Sequence, residues 1–173
     1  STPVAVSMSY NAATNTATLT PSSALTASTT YTITLQGGGI KDLAGNALAS
    51  NVTWSFTTAA ADTTPPTVTG RTPADGATGV ALTTPVTAAF SEALDPVTVT
   101  SATFQLLNGS TPVAASVSYN SATNTATLTP SALTASATYT ATIKGGTGGV
   151  TDLAGNALTA DATWSFTTGT GSG

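Results

Sequence analysis

The fold is decided by a stretch of sequence that occurs twice. Residues 1–58 read STPVAVSMSYNAATNTATLTPSSALTASTTYTITLQGGGIKDLAGNALASNVTWSFTT, and residues 110–168 read STPVAASVSYNSATNTATLTPSALTASATYTATIKGGTGGVTDLAGNALTADATWSFTT. The repeat period of about 110 residues is the length of one domain and not of a short solenoid unit. The sequence therefore predicts an array of near-copies of one domain, which is more typical of a structural or binding protein than of an enzyme.

Apolar residues alternate with Thr and Ser in the part of the chain that surrounds the second copy. The members of this pattern are Val86, Ala88, Phe90, Phe104, Leu106, Val113, Ala115, Val117, Tyr119, Ala126, Leu128, Tyr139, Ala141, Ile143, Ala162, Trp164 and Phe166. A period of two residues marks strands with one face on a core, and Gly, Asn and Pro between the runs mark turns. With an opening strand near Val68, the pattern gives seven strands in about 105 residues, the size of an immunoglobulin-like sandwich. We therefore predict an all-β fold, an immunoglobulin-like β-sandwich repeated in tandem.

The two copies are unequal in extent. Residues 67–168 contain all seven strands and predict a complete Ig-like domain, whereas residues 1–58 correspond only to the C-terminal part of a repeat, with its opening strands missing. Residues 59–66 form a linker, stiffened by Pro65 and Pro66, and residues 169–173 are expected to be a flexible tail. We expect the chain to be a segment of a longer protein.

Four motifs carry a resemblance to a known family. In chain order they are PADGATGV at 73–80, FSEALDP at 90–96, DLAGNAL at 152–158 and WSFTT at 164–168. On these motifs the chain resembles the bacterial Ig-like domain of the SbsA type, completely over residues 65–168 and as its later half over residues 1–58. The resemblance implies tandem spacers of S-layers, adhesins, cell-wall proteins and extracellular hydrolases, an extracellular or cell-surface location, and no catalysis. These implications rest on analogy at the level of the fold.

The composition excludes several classes of function. Only three basic residues, Lys41, Arg71 and Lys144, occur in a chain of net charge −4, so there is no basic patch for nucleic acid. The chain has neither Cys nor His, which removes thiolate sites and the commonest general base. No apolar run approaches the roughly 18 residues that a membrane span requires. We expect no enzymatic activity and no membrane span.

Several oxygen-bearing side chains are predicted to gather at one end of the complete domain, beside the linker. Alternating strand directions bring together the loops that carry Asp62, Glu92, Asp95, Asp152 and Asn156. Carboxylate and amide oxygens are the ligands that Ca²⁺ prefers, so these five residues are a candidate calcium site. The alternative is that Asp152 and Asn156 form hydrogen bonds within their own turn and bind no ion.

The incomplete copy is predicted to expose an apolar face and open strand edges. Its inward residues include Val4, Val6, Tyr31, Ile33, Trp54 and Phe56. Soluble monomers avoid exposed patches and edges of this kind. The missing strands lie either in neighbouring sequence or in another chain that donates them.

Two functions fit these features. The first is a structural repeat of a stalk, S-layer or fibre, which assembles with neighbouring repeats or with copies of itself by strand complementation. The alternative is an adhesin or an accessory binding module of an extracellular enzyme, with a glycan or another surface ligand as its partner. Rows of outward Thr are a candidate face for such a ligand, although Thr is also a favoured strand residue on a solvated face.

Overall fold

The computed structural model describes residues 2–171, and the chain divides into two compact units. Unit 1 comprises residues 1–61 and unit 2 comprises residues 62–173. The regular secondary structure of both units is almost entirely β-strand, as the sequence predicts. No helix among the described residues is long and apolar enough to cross a membrane.

The described part of unit 2, residues 62–171, contains nine strands and one short 3₁₀ helix. In chain order they are β5 (Val68–Thr72), β6 (Ala77–Val80), β7 (Val86–Phe90), the 3₁₀ helix (Pro96–Thr98), β8 (Phe104–Asn108), β9 (Thr111–Pro112), β10 (Ala115–Asn120), β11 (Thr125–Pro130), β12 (Thr138–Ile143) and β13 (Ala162–Thr168). One sheet has the order β10-β11-β7-β5, and the other has the order β6-β13-β12-β8-β9. All neighbours are antiparallel except β6 and β13, which are parallel.

The core of unit 2 lies between these two sheets and follows the period-two pattern of the sequence. In β7, for example, Val86, Ala88 and Phe90 are buried, while the two residues between them are half-buried. The buried hydrophobic residues come from both sheets and from the loops: Val86, Ala88, Phe90, Leu94, Val99, Phe104, Leu106, Ala126, Leu128, Leu133, Tyr139, Ala141, Ile143, Val150, Leu158, Trp164 and Phe166. Two sheets that bury one face each against the other form a sandwich. The predicted immunoglobulin-like β-sandwich is therefore confirmed.

Three short elements of unit 2 were not predicted from the sequence. Strand β6 has no apolar alternation and contains Gly79 with a positive φ of 68°. Its pairing partner β13 lies about 90 residues later in the chain, so the alternation of residues within β6 gives no sign of this pairing. The 3₁₀ helix lies inside the predicted 91–101 loop, where the Asp95 carboxylate accepts a hydrogen bond from the Val97 N–H and caps it. The third element is β9: the sequence predicted one run from Val113 to Tyr119, but β9 ends at Pro112 and β10 begins at Ala115.

Over residues 2–61, unit 1 contains four strands, which form two separate hairpins. They are β1 (Val6–Asn11), β2 (Thr16–Pro21), β3 (Thr30–Leu35) and β4 (Val52–Thr57). The β1–β2 pair corresponds in sequence and register to β10–β11, and the β3–β4 pair corresponds to β12–β13. Each hairpin is thus specified by its own sequence in the same way in both units.

The described part of unit 1, residues 2–61, contains no buried residue. Its large apolar side chains are exposed or half-buried, including all six that the sequence placed on the open face. The hairpins of unit 1 therefore have the hydrogen bonds of a sheet without a core.

Candidate functional site

Three acidic side chains meet at one end of unit 2. The carboxylate oxygens of Asp62, Glu92 and Asp152 lie within 4.8 Å of one another, and we call these three residues the acidic cluster. A β-bridge between Leu94 and Asp152 brings the loop after β7 to the loop before β13. The Asn156 side chain donates a hydrogen bond to the Asp62 carbonyl oxygen over 3.2 Å, which brings the start of unit 2 to the same place.

Asp152 is buried and closes its own turn. Its Oδ1 accepts hydrogen bonds from the backbone N–H groups of Ala154 and Asn156, each at 2.8 Å, and its Oδ2 accepts one from the Asn156 side chain at 2.8 Å. Burial alone would raise the pKa of Asp152, but the hydrogen bonds from Asn156, Ala154 and Gly155 outweigh it and lower the pKa. Asp152 is therefore held in its ionised form.

Glu92 lies beside these charges and responds in the opposite direction. Its pKa is raised, first because water is partly excluded from the carboxyl group and then because Asp62 and Asp152 repel its negative charge. The electrostatic field of the cluster thus favours a positive species or a proton next to Glu92.

Four of the five predicted calcium-site residues come together, and one does not join the cluster. Asp62, Glu92 and Asp152 present carboxylate oxygens, and Asn156 is hydrogen-bonded to two of these residues. Asp95 instead caps the 3₁₀ helix, with its Oδ1 at 3.1 Å from the Val97 nitrogen. Both Asp152 oxygens already accept hydrogen bonds in the turn, as the alternative interpretation of the sequence expects. The calcium site stays a prediction.

Unit 1 contains the same turn without the cluster. The Asp42 carboxylate accepts hydrogen bonds from the Ala44 and Asn46 backbone N–H groups and from the Asn46 side chain. The hydrogen bonds from Asn46 are the main reason why the pKa of Asp42 is lowered. The turn is therefore a local property of the DLAGN sequence.

The second candidate site is the apolar face of unit 1, which the hairpins leave open. Trp54 in β4 is 47% exposed, whereas its counterpart Trp164 in β13 is 2% exposed. Phe56 is 45% exposed, against 1% for Phe166. A cleft of about 530 Å³ lies within unit 1, lined by residues that include Val4, Val6, Leu19, Leu25, Ile33 and Phe56. We call this surface the open face.

The opening segment of unit 2, defined as residues 62–109 with β5 to β8, shows what covers the same face in the complete copy. The Phe104 ring packs 6.0 Å from the Trp164 ring, and the Arg71 guanidinium lies 5.8 Å from the centre of the indole. The Leu94 N–H donates a hydrogen bond of 2.8 Å to the Tyr119 hydroxyl oxygen. In unit 1 the corresponding Tyr10 hydroxyl donates to Asn15 over 3.2 Å, and no such N–H reaches it among the described residues.

A family model described as bacterial Ig-like domain matches the chain over residues 1–58 and again over residues 62–168. The chain belongs to the bacterial Ig-like domain family. The resemblance based on the four motifs is therefore confirmed. Bacterial Ig-like domains of this family are a non-enzymatic kind of domain.

Solved structures similar to this bacterial Ig-like chain include an S-layer protein, CopC and a copper resistance protein. The S-layer protein rSbsC(31-844) shares 22% identity over 63% of this chain and 14% of that chain, with a TM-score of 0.46. CopC from Methylosinus trichosporium OB3b shares 14% identity over 60% of this chain and 93% of that chain, with a TM-score of 0.49. PcoC, a methionine-rich copper resistance protein from Escherichia coli, shares 18% identity over 61% and 99%, with a TM-score of 0.48. At these values the likeness carries no argument about function. A search of curated proteins gave no match.

Sequence reasoning missed two residues of the opening segment, Arg71 and Leu94, that contact the later half of the bacterial Ig-like domain. Arg71 is one of only three basic residues in the chain. This rarity was the one available signal that its side chain has a specific partner. The Tyr119 contact was not foreseeable, because the N–H of Leu94 that it accepts is 25 residues away in the chain. Backbone groups carry no sequence signal of their own.

Proposed function

We propose that this chain is a non-catalytic structural part of a bacterial extracellular or cell-surface protein, acting as a building block of a stalk, S-layer or fibre. In this role the Ig-like repeats act in series, and strands from neighbouring sequence or from another chain complete unit 1. The family membership and the absence of His and Cys support a structural over a catalytic role.

The observation that carries this proposal is the contrast between equivalent strand edges in the two units. In unit 2, β11 pairs with β7, β12 with β8 and β13 with β6, in addition to their hairpin partners. In unit 1 the equivalent strands β2, β3 and β4 have only their hairpin partners among the described residues. Each therefore offers a row of free backbone groups beside an apolar face, which is the surface that strand addition requires.

A graft of the opening segment tests the completion of unit 1. Residues 62–109 are fused in front of residue 1 of the full chain, which recreates the order of unit 2 because residue 1 repeats residue 110. We expect the amides of β2, β3 and β4 to become protected from hydrogen exchange and Trp54 to become inaccessible to acrylamide. Unit 2 within the same chain is the internal reference. Rapid exchange in β2 to β4 of the grafted chain would overturn the proposal.

Assembly is tested on the grafted chain and on longer tandem arrays built from it. We expect extended particles whose length grows in steps of one domain, seen by small-angle scattering and electron microscopy. The alternative is an adhesin or an accessory module of an extracellular enzyme. It would be supported by a monodisperse, compact monomer that binds a glycan in a glycan-array screen. The rows of paired Thr on the outer faces, such as Thr138 with Thr167 at 3.0 Å, would then be the first surface to mutate.

A further inference from the structure

We propose that unit 1 is completed by the opening segment of a third repeat, one that carries a side chain smaller than Leu at the position of Leu106. This inference rests on the proposal that added strands complete unit 1. It goes further by specifying the register of the added strands and the residue that decides which segment fits.

The register follows from the near-identity of the accepting strands. Strand β2 has the same sequence as β11, TATLTP, and β11 pairs Leu128 with Val86 of β7. The added strand therefore places its Val86 equivalent opposite Leu19. Strand β3 corresponds to β12, which pairs Ala141 with Leu106 of β8, so the Leu106 equivalent lies opposite Ile33.

Several inward apolar positions differ in side-chain size between the two units. At each of these positions the larger side chain is in unit 1. The pairs, with unit 1 first, are Val6 and Ala115, Met8 and Val117, Ile33 and Ala141, Ile40 and Val150, and Val52 and Ala162. In unit 2 these residues are in the core or pack against it. A sandwich interior is close-packed, so the space available for the opening segment is smaller in unit 1 than in unit 2.

Ile33 is the decisive member of this set. Its counterpart Ala141 is fully buried, between Leu106 on β8 and Trp164 on β13. Trp54 keeps the place of Trp164, so the hairpin of unit 1 does not make room for the three additional carbon atoms of Ile33. The nearest side chain that can compensate belongs to the added strand, at the Leu106 position.

A second copy of this chain does not fit the open face. Each copy has two later halves and one opening segment, and that segment is already paired within unit 2. Its donation would expose core residues that it now covers, such as Trp164 and Tyr139. The exchange would also bring Leu106 against Ile33. A third repeat, with an unpaired opening segment of its own, avoids both costs.

The test compares four grafted chains that carry residues 62–109 in front of residue 1. The graft has Leu or Val at its Leu106 position, and residue 33 is Ile or Ala. With Ile33, the Leu106→Val change in the graft is expected to slow hydrogen exchange in β3 about tenfold or more, because it removes overpacking. With Ile33→Ala, the same graft change is expected to speed exchange, because it then leaves a cavity. Leu106→Val made in unit 2, opposite Ala141, is the matched control and is expected to destabilise.

The outcomes separate this inference from the proposal beneath it. If no graft protects β2 to β4, the completion of unit 1 by added strands is wrong. If the Leu graft protects them and the Val graft is no better with Ile33 present, completion holds and the size rule is wrong. If the ungrafted chain associates in sedimentation experiments and its β3 amides become protected from exchange as its concentration rises, a second copy occupies the open face. The proposal of a third repeat is then wrong.

Discussion

Unit 1 and the later half of unit 2 have almost the same sequence and the same hairpins, yet only one of them has a core. Tyr31 stacks on Phe56 at 5.9 Å between ring centres, and Tyr139 stacks on Phe166 at 5.7 Å. The first pair lies on an open face and the second is buried. The hairpin and its cross-strand contacts are therefore local, whereas burial depends on the opening segment.

This difference identifies which interactions a half-repeat can form alone. The turn around Asp42, the Thr pairs on the outer face and the hairpin registers are all present in unit 1. The contacts of the opening segment, such as the hydrogen bond between Leu94 and Tyr119, occur only in unit 2 among the described residues. Matched substitutions in the two units test this division.

Substitution of the core tryptophan has the largest expected effect. Trp164→Ala is expected to destabilise unit 2 by about 3–5 kcal/mol, because it removes a large buried side chain that packs on Phe104. Trp54→Ala is expected to change the free energy of unfolding of unit 2 by no more than about 0.5 kcal/mol relative to the parent chain. Urea unfolding followed by circular dichroism measures both, and Trp164→Phe gives a milder second variant. Equal losses for the two alanine variants would contradict the comparison.

Exchange of the small core residue for its counterpart comes next. Ala141→Ile is expected to cost unit 2 about 1–3 kcal/mol, because Ala141 is fully buried and the core has no room for the larger side chain. Ile33→Ala in the ungrafted chain is the control and is expected to have little effect on that transition. A stabilising Ala141→Ile, measured by the same unfolding curves, would show that the core of unit 2 has unfilled space at this position.

Loss of the tyrosine hydroxyl is expected to have a smaller effect in unit 2 and almost none in unit 1. Tyr119→Phe leaves the N–H of buried Leu94 without its acceptor and is expected to cost about 1–2 kcal/mol. Tyr10→Phe removes only an exposed hydrogen bond to Asn15. Thermal unfolding of the two variants measures the difference between their losses of stability. Equal losses would mean that water replaces the Tyr119 hydroxyl as acceptor for the Leu94 N–H.

Acidic pH is expected to affect both units in the same direction, because the Asp turn is local. The pKa values of Asp42 and Asp152 are lowered in the folded chain. Their ionised forms therefore contribute stability above the ordinary Asp pKa of about 3.9, and this contribution is lost as the pH falls through the lowered values. Carboxyl carbon chemical shifts in a pH titration measure both groups. A normal pKa for Asp42 together with a lowered one for Asp152 would show that the turn needs the rest of unit 2.

The smallest effect is expected at Glu92, which exists only in the complete copy. Its raised pKa means that ionisation of Glu92 opposes folding, so in a chelator Glu92→Gln is expected to raise the Tm of unit 2 slightly at pH 7. The predicted calcium site requires that added Ca²⁺ raise the Tm of the parent chain and have less effect on this variant. Asp95→Asn is the control for a predicted ligand outside the acidic cluster. No Tm shift with calcium in any variant would exclude a structural ion.

The sequence was enough to predict which loops lie at the same end of unit 2, but not which of their side chains form the acidic cluster. Strand alternation was enough to place the loops of Glu92 and Asp152 at the same end, because consecutive antiparallel strands reverse direction. It was not enough to show that Asp95 turns away to cap a 3₁₀ helix, since that depends on which backbone N–H groups are left free there. The exposed face of unit 1 was predictable because its inward residues were known from their alternation.

The sequence by itself determined the strands, the hairpins and the Asp turns of both units. The strands and the Asp turns depend on side chains within a few residues of one another, and the hairpins depend on strand pairs within one copy. Both copies have nearly the same side chains at these positions. Only the tertiary structure decided that Asp95 caps a 3₁₀ helix outside the acidic cluster, that Arg71 lies over an indole ring, and that the Leu94 N–H reaches the Tyr119 hydroxyl. The physical reason is that these contacts depend on backbone groups and strands of the opening segment, which no pattern within the repeated sequence reports, and only one of the two nearly identical copies has that segment beside it.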